Sequence, residues 1–437
     1  MSASPEVGED PHRPSADHQT AARPARPRLS MATVAFLMFL ATMASNAPSP
    51  LYVIYQQKFH FSALTVTAVF ATYAGAVMVA LFTVGHLSDR IGRRKMLTPA
   101  LVLLGLSSGM FAAAAGTAWL FAARAVQGFA TGVLTGAATA ALVELEPAHD
   151  RQRASYINTI MFITGAAGGP LLFGVAAEYF PAPLVSPFLI EAALVVVGLA
   201  GVWALPETVR HRSRVRWEIQ RPSVPAPIRG PFVVSILALC VSWGIGGLYG
   251  ALSATIDRNL LHVSSHAMAG VVLFVLSGVG GLSQLALRRW PPRRSIMIGA
   301  GASAVGLALV YIGLVVPLLP VFFVGTLLSG GGSGVAFMGS LVMVNQVAPP
   351  DRRAEVISAW NLIGYVALAA PVVGVGLLAR RTGLMDATGI FVAVWVVLST
   401  VSVVSCARLP AQRLSSLSPD PVTEAGLDPA VSAGGIA

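Results

Sequence analysis

Charged residues and cysteines are scarce in this chain of 437 residues. Only 11% of the residues are Asp, Glu, Lys or Arg, whereas 55% are hydrophobic and the mean hydropathy is +0.72. Soluble domains carry about one-quarter charged residues, so a water-soluble fold is excluded. The two cysteines, Cys240 and Cys406, lack the spacing of a metal or redox site. We therefore expect no cofactor and no bound metal.

Long apolar runs separate short groups of charged residues. A helix of about 20 residues crosses a bilayer core of about 30 Å, and the runs lack the alternation of barrel strands. The sequence therefore predicts an all-α membrane protein with twelve transmembrane helices. The predicted spans are 31–55, 62–86, 96–115, 118–143, 154–178, 187–206, 231–255, 267–287, 295–315, 319–346, 355–379 and 387–407.

The basic residues predict the orientation of these spans. If the N-terminus is cytoplasmic, 24 of the 29 Lys and Arg residues lie on that side, four lie on the other side, and Arg124 lies within a span. Excess positive charge marks cytoplasmic loops, so we expect both termini in the cytoplasm and contact with anionic lipid headgroups there. The net charge of +10 is thus spread over loops, without a nucleic-acid-binding motif, and we expect no nucleic acid.

The chain divides into two halves that resemble each other weakly. At an offset of 200 residues, Gly132, Arg153 and Gly174 fall on Gly332, Arg353 and Gly374. We predict bundles at 31–206 and 231–408 joined by a cytoplasmic linker, 207–230, in a monomer. The tails, 1–30 and 409–437, are rich in small residues and proline, so we expect them to be disordered. No cleavable signal peptide is visible in 1–30.

A motif between the second and third spans identifies the family that this chain resembles. The segment reads Gly85-His86-Leu87-Ser88-Asp89-Arg90-Ile91-Gly92-Arg93-Arg94. It resembles the loop signature of the major facilitator superfamily. The resemblance implies two pseudo-symmetric six-helix bundles around a cavity that opens alternately to each side, with Gly85, Asp89, Arg90, Gly92, Arg93 and Arg94 as a conformational gate. A simple positively charged anchor is the alternative.

The fourth and fifth spans carry two further motifs. Arg124, Gln127 and Gly128 resemble the fourth-helix motif of this family, and a charge within the bilayer costs about 2.5–3.5 kcal/mol on insertion scales. We assign these residues to the coupling or proton path; a structural tie between helices is the alternative. The fifth span resembles the drug/proton antiporter motif, with Phe173 in place of one glycine, and its matching residues are Gly165, Gly169, Pro170 and Gly174. Ordinary helix packing would also explain these small residues.

Glu191 is the one carboxylate clearly within a predicted span. Burial disfavours a charged carboxylate, so Glu191 is a candidate proton carrier. The competing interpretation, which the sequence favours, places its side chain at the membrane interface, because Glu191 lies one turn inside the sixth span. Candidate residues of the substrate cavity are the polar and aromatic residues Asn46, Tyr52, Tyr73, Asn158, Trp243, Tyr249, Trp360, Asn361 and Tyr365.

These patterns together predict a secondary active transporter in the cell membrane. We expect proton-coupled efflux of a small, amphipathic organic solute, of the multidrug antiporter type, with the proton gradient as energy source. A proton-coupled uptake symporter for a sugar or metabolite is the alternative. A membrane enzyme is more remote, since the chain shows no nucleotide loop or paired carboxylates.

The resemblance also gives a role to Asp89. If the halves pack as in the family, its carboxylate meets the N-terminus of the eleventh span, which carries about half a positive charge, when the cavity is open outward. We expect Asp89→Asn to favour the inward-open state and to lower turnover more than solute binding. Cysteine accessibility from both sides, with the transport rate, measures this. Unchanged accessibility and a normal rate would leave the loop as an anchor.

Overall fold

The computed structural model describes residues 27–84, 91–146, 150–205, 223–260 and 265–409. Gly85, Asp89 and Arg90 of the loop motif, most of the linker at 207–230, and nearly all of both tails lie outside the described residues. Within them, twelve spans are long and apolar enough to cross a membrane. The prediction of twelve membrane-spanning helices is therefore confirmed.

The first span, α1, consists of two helical segments, Pro27–Asn46 and Tyr52–Phe59, joined by a 3-10 turn at Ser49–Leu51. Pro48 and Pro50 lie at this joint, and each lacks the backbone N–H that would continue an α-helix. The remaining helices are α2 Ala63–Val84, α3 Arg93–Ala112, α4 Thr117–Glu144, α5 Arg151–Tyr179, α6 Ser186–Trp203, α7 Arg229–Asn259, α8 His266–Ala286, α9 Pro292–Val315, α10 Leu319–Val347, α11 Arg353–Thr382 and α12 Leu384–Arg408.

The packing of the first six helices recurs in the last six. Helix α1 packs on α5, α2 on α4, and α3 on α6; correspondingly, α7 packs on α11, α8 on α10, and α9 on α12. The two halves meet chiefly where α5 packs against α8 and where α2 packs against α11. The repeat also relates these two contacts, because α5 corresponds to α11 and α8 corresponds to α2. The helix contacts therefore follow an approximate two-fold symmetry.

Glycines bring α5 very close to two neighbours. A Cβ at Gly165 would overlap the backbone of Phe39, and a Cβ at Gly169 would overlap the backbone of Met43, both on α1. A Cβ at Gly174 would overlap the His266 carbonyl at the start of α8. Residues of the fifth-span motif thus set the distance of α5 from its own half and from the other half.

The hydrophobic core is shared by the two halves at one end only. We call the face where α1 begins and α12 ends the terminal face, and the other the opposite face. Toward the opposite face, one cluster joins Leu51 and Phe173 of the first half to Leu252, Phe322 and Val375 of the second. Toward the terminal face, each half has its own clusters in the described part of the chain.

Polar contacts also join the halves at the opposite face. Thr255 Oγ1 donates to Gln56 Oε1 at 2.9 Å, and the backbone N–H of His266 donates to Glu178 Oε2 at 2.7 Å. Near the terminal face, the Arg288 guanidinium lies over the Tyr156 ring, 4.7 Å from its centroid. The halves are closed on each other at the opposite face and more loosely joined at the terminal face.

The glycines of α5 provide a matched test of this packing. Gly168→Ala places a methyl group where nothing lies within 4 Å, whereas Gly169→Ala places it against the Met43 backbone. We expect Gly169→Ala to lower the free energy of unfolding by about 1–3 kcal/mol, because α1 must move away. Gly168→Ala should leave stability unchanged or slightly raised. Thermal unfolding of the two purified variants measures this, and equal stability would contradict the packing role of Gly169.

Candidate functional site

A cavity of about 270 Å³ lies between the two halves near the middle of the helices. A second cavity of about 220 Å³ adjoins it and reaches Gln284, near the terminal-face end of α8. Asn46, Trp243, Gly246 and Ser277 line both. Together they form a space comparable to small-molecule sites, which are about 300–1,000 Å³. The cavity therefore extends from mid-depth toward the terminal face.

The lining of the main cavity is aromatic, aliphatic and hydroxyl-bearing. Trp243 of α7 and Tyr365 of α11 meet edge to face, with ring centroids 4.8 Å apart. No Asp, Glu, Lys or Arg side chain contributes to either lining in the part of the chain that the structure describes. Its aromatic residues are Phe70, Tyr73, Phe162, Trp243 and Tyr365, and its hydroxyl-bearing residues are Thr42, Ser45, Thr131, Thr135, Ser242 and Ser277.

The structure places four of the nine candidate cavity residues in the lining, namely Asn46, Tyr73, Trp243 and Tyr365. The other five do not line this cavity in the structure. Three of them are buried because their polar groups have partners inside one half. Tyr52 accepts a hydrogen bond from Arg124, Tyr249 shares one with Thr326 at 3.0 Å, and Trp360 Nε1 donates to Ser235 and Ser340.

Asn158 and Asn361 are the remaining two, and neither contributes to the cavity lining. The Asn158 amide oxygen lies 3.5 Å from Thr139 Oγ1, within the first half. Conversely, Phe70, Phe162 and the hydroxyl-bearing residues were missed, because such side chains occur on every face of a membrane helix. Only the rotation of each helix distinguishes those that reach the cavity.

Arg124 is fully buried on α4 beside this cavity. Its Nε donates to Tyr52 Oη at 2.6 Å, and its Nη1 donates to the Ser45 carbonyl at 2.9 Å and to Gln127 Oε1 at 2.7 Å. Nη2 has no hydrogen-bond partner among the described residues. The guanidinium therefore ties α4 to α1 and leaves the two N–H groups of Nη2 unused.

The aromatic rings around Arg124 separate it from the cavity. Its Cζ lies 5.2 Å from the Tyr73 ring centroid and 5.9 Å from that of Phe70, within cation–π range. Both rings line the cavity. Gly128 lets α4 pack closely on α2 and so brings Arg124 up to the Tyr73 ring, since a Cβ at Gly128 would overlap the Tyr73 carbonyl.

Glu191 lies in the interior of the first half, which corrects the interpretation that placed it at the membrane interface. Its side chain is fully buried on α6, one turn from Phe188, whose ring packs against Phe111 and Phe173. Neither carboxylate oxygen has a hydrogen-bond partner with good geometry in the described residues. Ser108 of α3 lies near it, and the positive charge of Arg124 acts on it at longer range than an ion pair. Helix α6 packs against α3, so the side chain points away from lipid.

The described end of the loop motif is anchored within the first half. Gly92 has a φ of 116°, which disfavours other residues, and it precedes α3. The buried Arg93 donates from Nη2 to Glu144 Oε1 at 2.6 Å, at the end of α4. Arg94 is exposed at the terminal face. This ion pair holds the start of α3 to α4.

Comparison with known proteins agrees with this architecture. The model of the family described as Major Facilitator Superfamily matches residues 34–417. A Salmonella heidelberg protein named "Putative multidrug resistance protein MdtD" is 25% identical over 384 residues, which cover 84% of this chain and 74% of that protein. Protein PucC of Rhodovulum sulfidophilum is 25% identical over 234 residues, about half of each chain (50% and 51%).

Two solved structures share the fold at low sequence identity. A bacterial homologue of the human lysosomal transporter Spinster, in an inward-facing and unoccupied conformation, has a TM-score of 0.69 and 12% identity, covering 91% of this chain and 99% of that one. The peptide transporter POT in complex with sulfate has a TM-score of 0.71 and 15% identity, covering 90% and 96%.

Gly246 allows the cavity to be tested by filling it. A Cβ there meets nothing within 4 Å, and the same holds for Gly301 on α9, which does not line the cavity. In a Cys240→Ala, Cys406→Ala background, we expect an impermeant maleimide applied to the terminal face to label Ser277→Cys. Gly246→Leu should slow labelling about tenfold by filling the space, whereas Gly301→Leu should not. Equal labelling in both variants would contradict the assigned cavity.

Proposed function

This chain belongs to the major facilitator superfamily, and on that premise we propose that it exports a small organic solute across the cell membrane in exchange for protons. It is a multi-pass secondary transporter and not an enzyme. The observation that carries the proposal is a pair of fully buried residues of opposite charge type within one half, Arg124 and Glu191, of which Arg124 packs against rings that line the cavity between the two repeated halves.

The arrangement of the halves supports alternating access. They are sealed at the opposite face and open a cavity toward the terminal face, and the contacts that join them occur in symmetry-related pairs. Exchanging the closed and open ends requires one half to rock against the other around the cavity. With both termini in the cytoplasm, the cavity in this structure faces the cytoplasm, where an exporter collects its solute.

Glu191 is the proton carrier in this proposal. An ionised carboxylate is costly at a fully buried position, so we assign the protonated form to this state. When the proton leaves, the positive charge of the Arg124 guanidinium stabilises the carboxylate at longer range than an ion pair. Protonation of Glu191 thus changes the charge balance at Arg124, which contacts rings that line the cavity.

Arg124, Gln127 and Gly128 form the structural link in this coupling. Gln127 holds the guanidinium through Oε1, and Gly128 lets α4 approach α2 so that Tyr73 covers the charge. Of the gate residues, Arg93 ties the start of α3 to α4 through Glu144, and the exposed Arg94 lies at the terminal face, where it meets anionic headgroups. Gly165, Gly169, Pro170 and Gly174 place α5 between α1 and α8.

The direction of transport rests on two supports. One is the antiporter-type motif on α5, and the other is the similarity to a protein whose name refers to multidrug resistance. Inside-out vesicles with an imposed proton gradient, screened with antibiotics, dyes and metabolites, test the direction. We expect some of these compounds to be taken up into the vesicles and to collapse the gradient. Uncoupler-sensitive uptake of a sugar or metabolite by whole cells would instead establish a symporter.

Glu191→Gln tests the coupling residue directly. The amide is neutral, has the same shape as the protonated acid and releases no proton. We expect the variant to lose gradient-driven accumulation of solute about a hundredfold while still exchanging solute down its own gradient. Asp386→Asn, at an exposed carboxylate in the first turn of α12, is the matched control and should behave as the unmodified protein. Intact gradient-driven accumulation in Glu191→Gln would remove Glu191 from the proton path.

A further inference from the structure

The cavity has no ionised side chain with which to bind an ion. Its polar groups are hydroxyls, the Asn46 amide and, in the adjoining cavity, the Gln284 amide. An organic ion that enters such a space loses its hydration, which costs several kcal/mol unless an opposite charge compensates. The cavity lining, in the part of the chain that the structure describes, therefore favours an uncharged molecule.

The charge behind the cavity wall strengthens this preference against cations. The Arg124 guanidinium lies behind Tyr73 and Phe70 and occupies a face of each ring. A cation in the cavity would be repelled by it across these rings. An anion would be attracted by the same charge but cannot pair with it directly, because Arg124 does not itself line the cavity; its Nε and Nη1 donors are directed at Tyr52, Ser45 and Gln127, and only Nη2 is unpaired.

The aromatic side chains indicate what kind of neutral molecule fits. Trp243 is held in a fixed position, since its ring packs on Phe337, Trp360 and Tyr365 with centroids 4.8–6.4 Å apart. Phe162 of α5 lines the same space from the other half. Aromatic rings on two sides of the cavity favour stacking or edge contacts with a ring of the solute.

Hydrogen-bonding groups lie among these rings. The Asn46 amide makes no hydrogen bond to another described residue, so both its donor and its acceptor are available. Ser242 Oγ donates to the Ser333 carbonyl at 2.6 Å and keeps its lone pairs for a donor. A solute that carries hydroxyl or carbonyl groups beside its ring would satisfy these atoms.

From these observations we propose that the cargo is an uncharged aromatic compound with hydrogen-bonding groups, and that organic cations and anions are disfavoured. This inference rests on the proposed function, in that the cavity is taken to bind the transported solute. It narrows the broad class of amphipathic compounds that the sequence predicts.

Three probes with one ring system test the charge preference. Naphthalene-2-methanol is neutral, whereas 2-naphthoate and 2-naphthylmethylammonium carry opposite charges at pH 7. We expect the purified protein in nanodiscs, dialysed to equilibrium against empty nanodiscs, to bind the alcohol at least about tenfold more tightly than either ion, a difference of about 1.4 kcal/mol. An ion that binds as tightly as the alcohol would overturn the proposal.

Asn46→Asp places a carboxylate in the cavity with almost no change of shape. The affinity for the ammonium probe should rise about tenfold and that for the alcohol should fall, because the cation gains a counter-ion. Asn158→Asp, in the same half but outside the lining, is the matched control and should change neither affinity. If Asn46→Asp leaves the ammonium affinity unchanged, these probes do not bind at the cavity and the proposal fails.

The binding measurement separates this inference from the proposed function, since it uses no proton gradient. If the neutral probe binds selectively but its movement is not linked to protons, antiport is contradicted and the cargo class stands. If proton-driven export of the ammonium probe is found instead, antiport stands and the cargo class is contradicted.

Discussion

Close approach of helix backbones is the constraint on which this fold depends. In lipid, two helices gain no hydrophobic stabilisation from contact, so packing and hydrogen bonds must hold them. Here Gly165 and Gly169 seat α5 on α1, Gly128 seats α4 on α2, and Gly174 seats α5 on α8. These contacts bring Tyr73 over Arg124 and set the width of the cavity between the halves.

The distribution of charge follows from the same environment. Arg124 is tolerated in the membrane because Tyr52, Ser45 and Gln127 accept its hydrogen bonds and aromatic rings cover it. Glu191 is tolerated at a fully buried position in the proposed protonated form, which is neutral. Neither group lines the cavity, so the proposed proton-coupling residues are separate from the surface that the solute would touch. Coupling then has to pass through Arg124 and the rings of Tyr73 and Phe70.

The hydrophobic core joins the two halves at one face and is divided between them at the other, which allows one half to move against the other around the cavity. One cluster crosses between the halves at the opposite face, while separate clusters serve each half toward the terminal face. Each half is thus cohesive, and the surface between them is polar and aromatic at mid-depth. Rigid halves with a divided interface are what a rocking motion requires.

The sequence by itself determined the twelve helices, their approximate ends and the family, because a bilayer demands long apolar helices and the loop motif is specific. It also indicated Arg124 as the one basic residue within a predicted span. Only the tertiary structure decided that Asn46, Tyr73, Trp243 and Tyr365 line the cavity, whereas Tyr52, Tyr249 and Trp360 find partners within one half. It also decided that Glu191 is buried. Helices that are apolar all round carry little periodic signal for their rotation, which is settled by contacts between residues far apart in the chain.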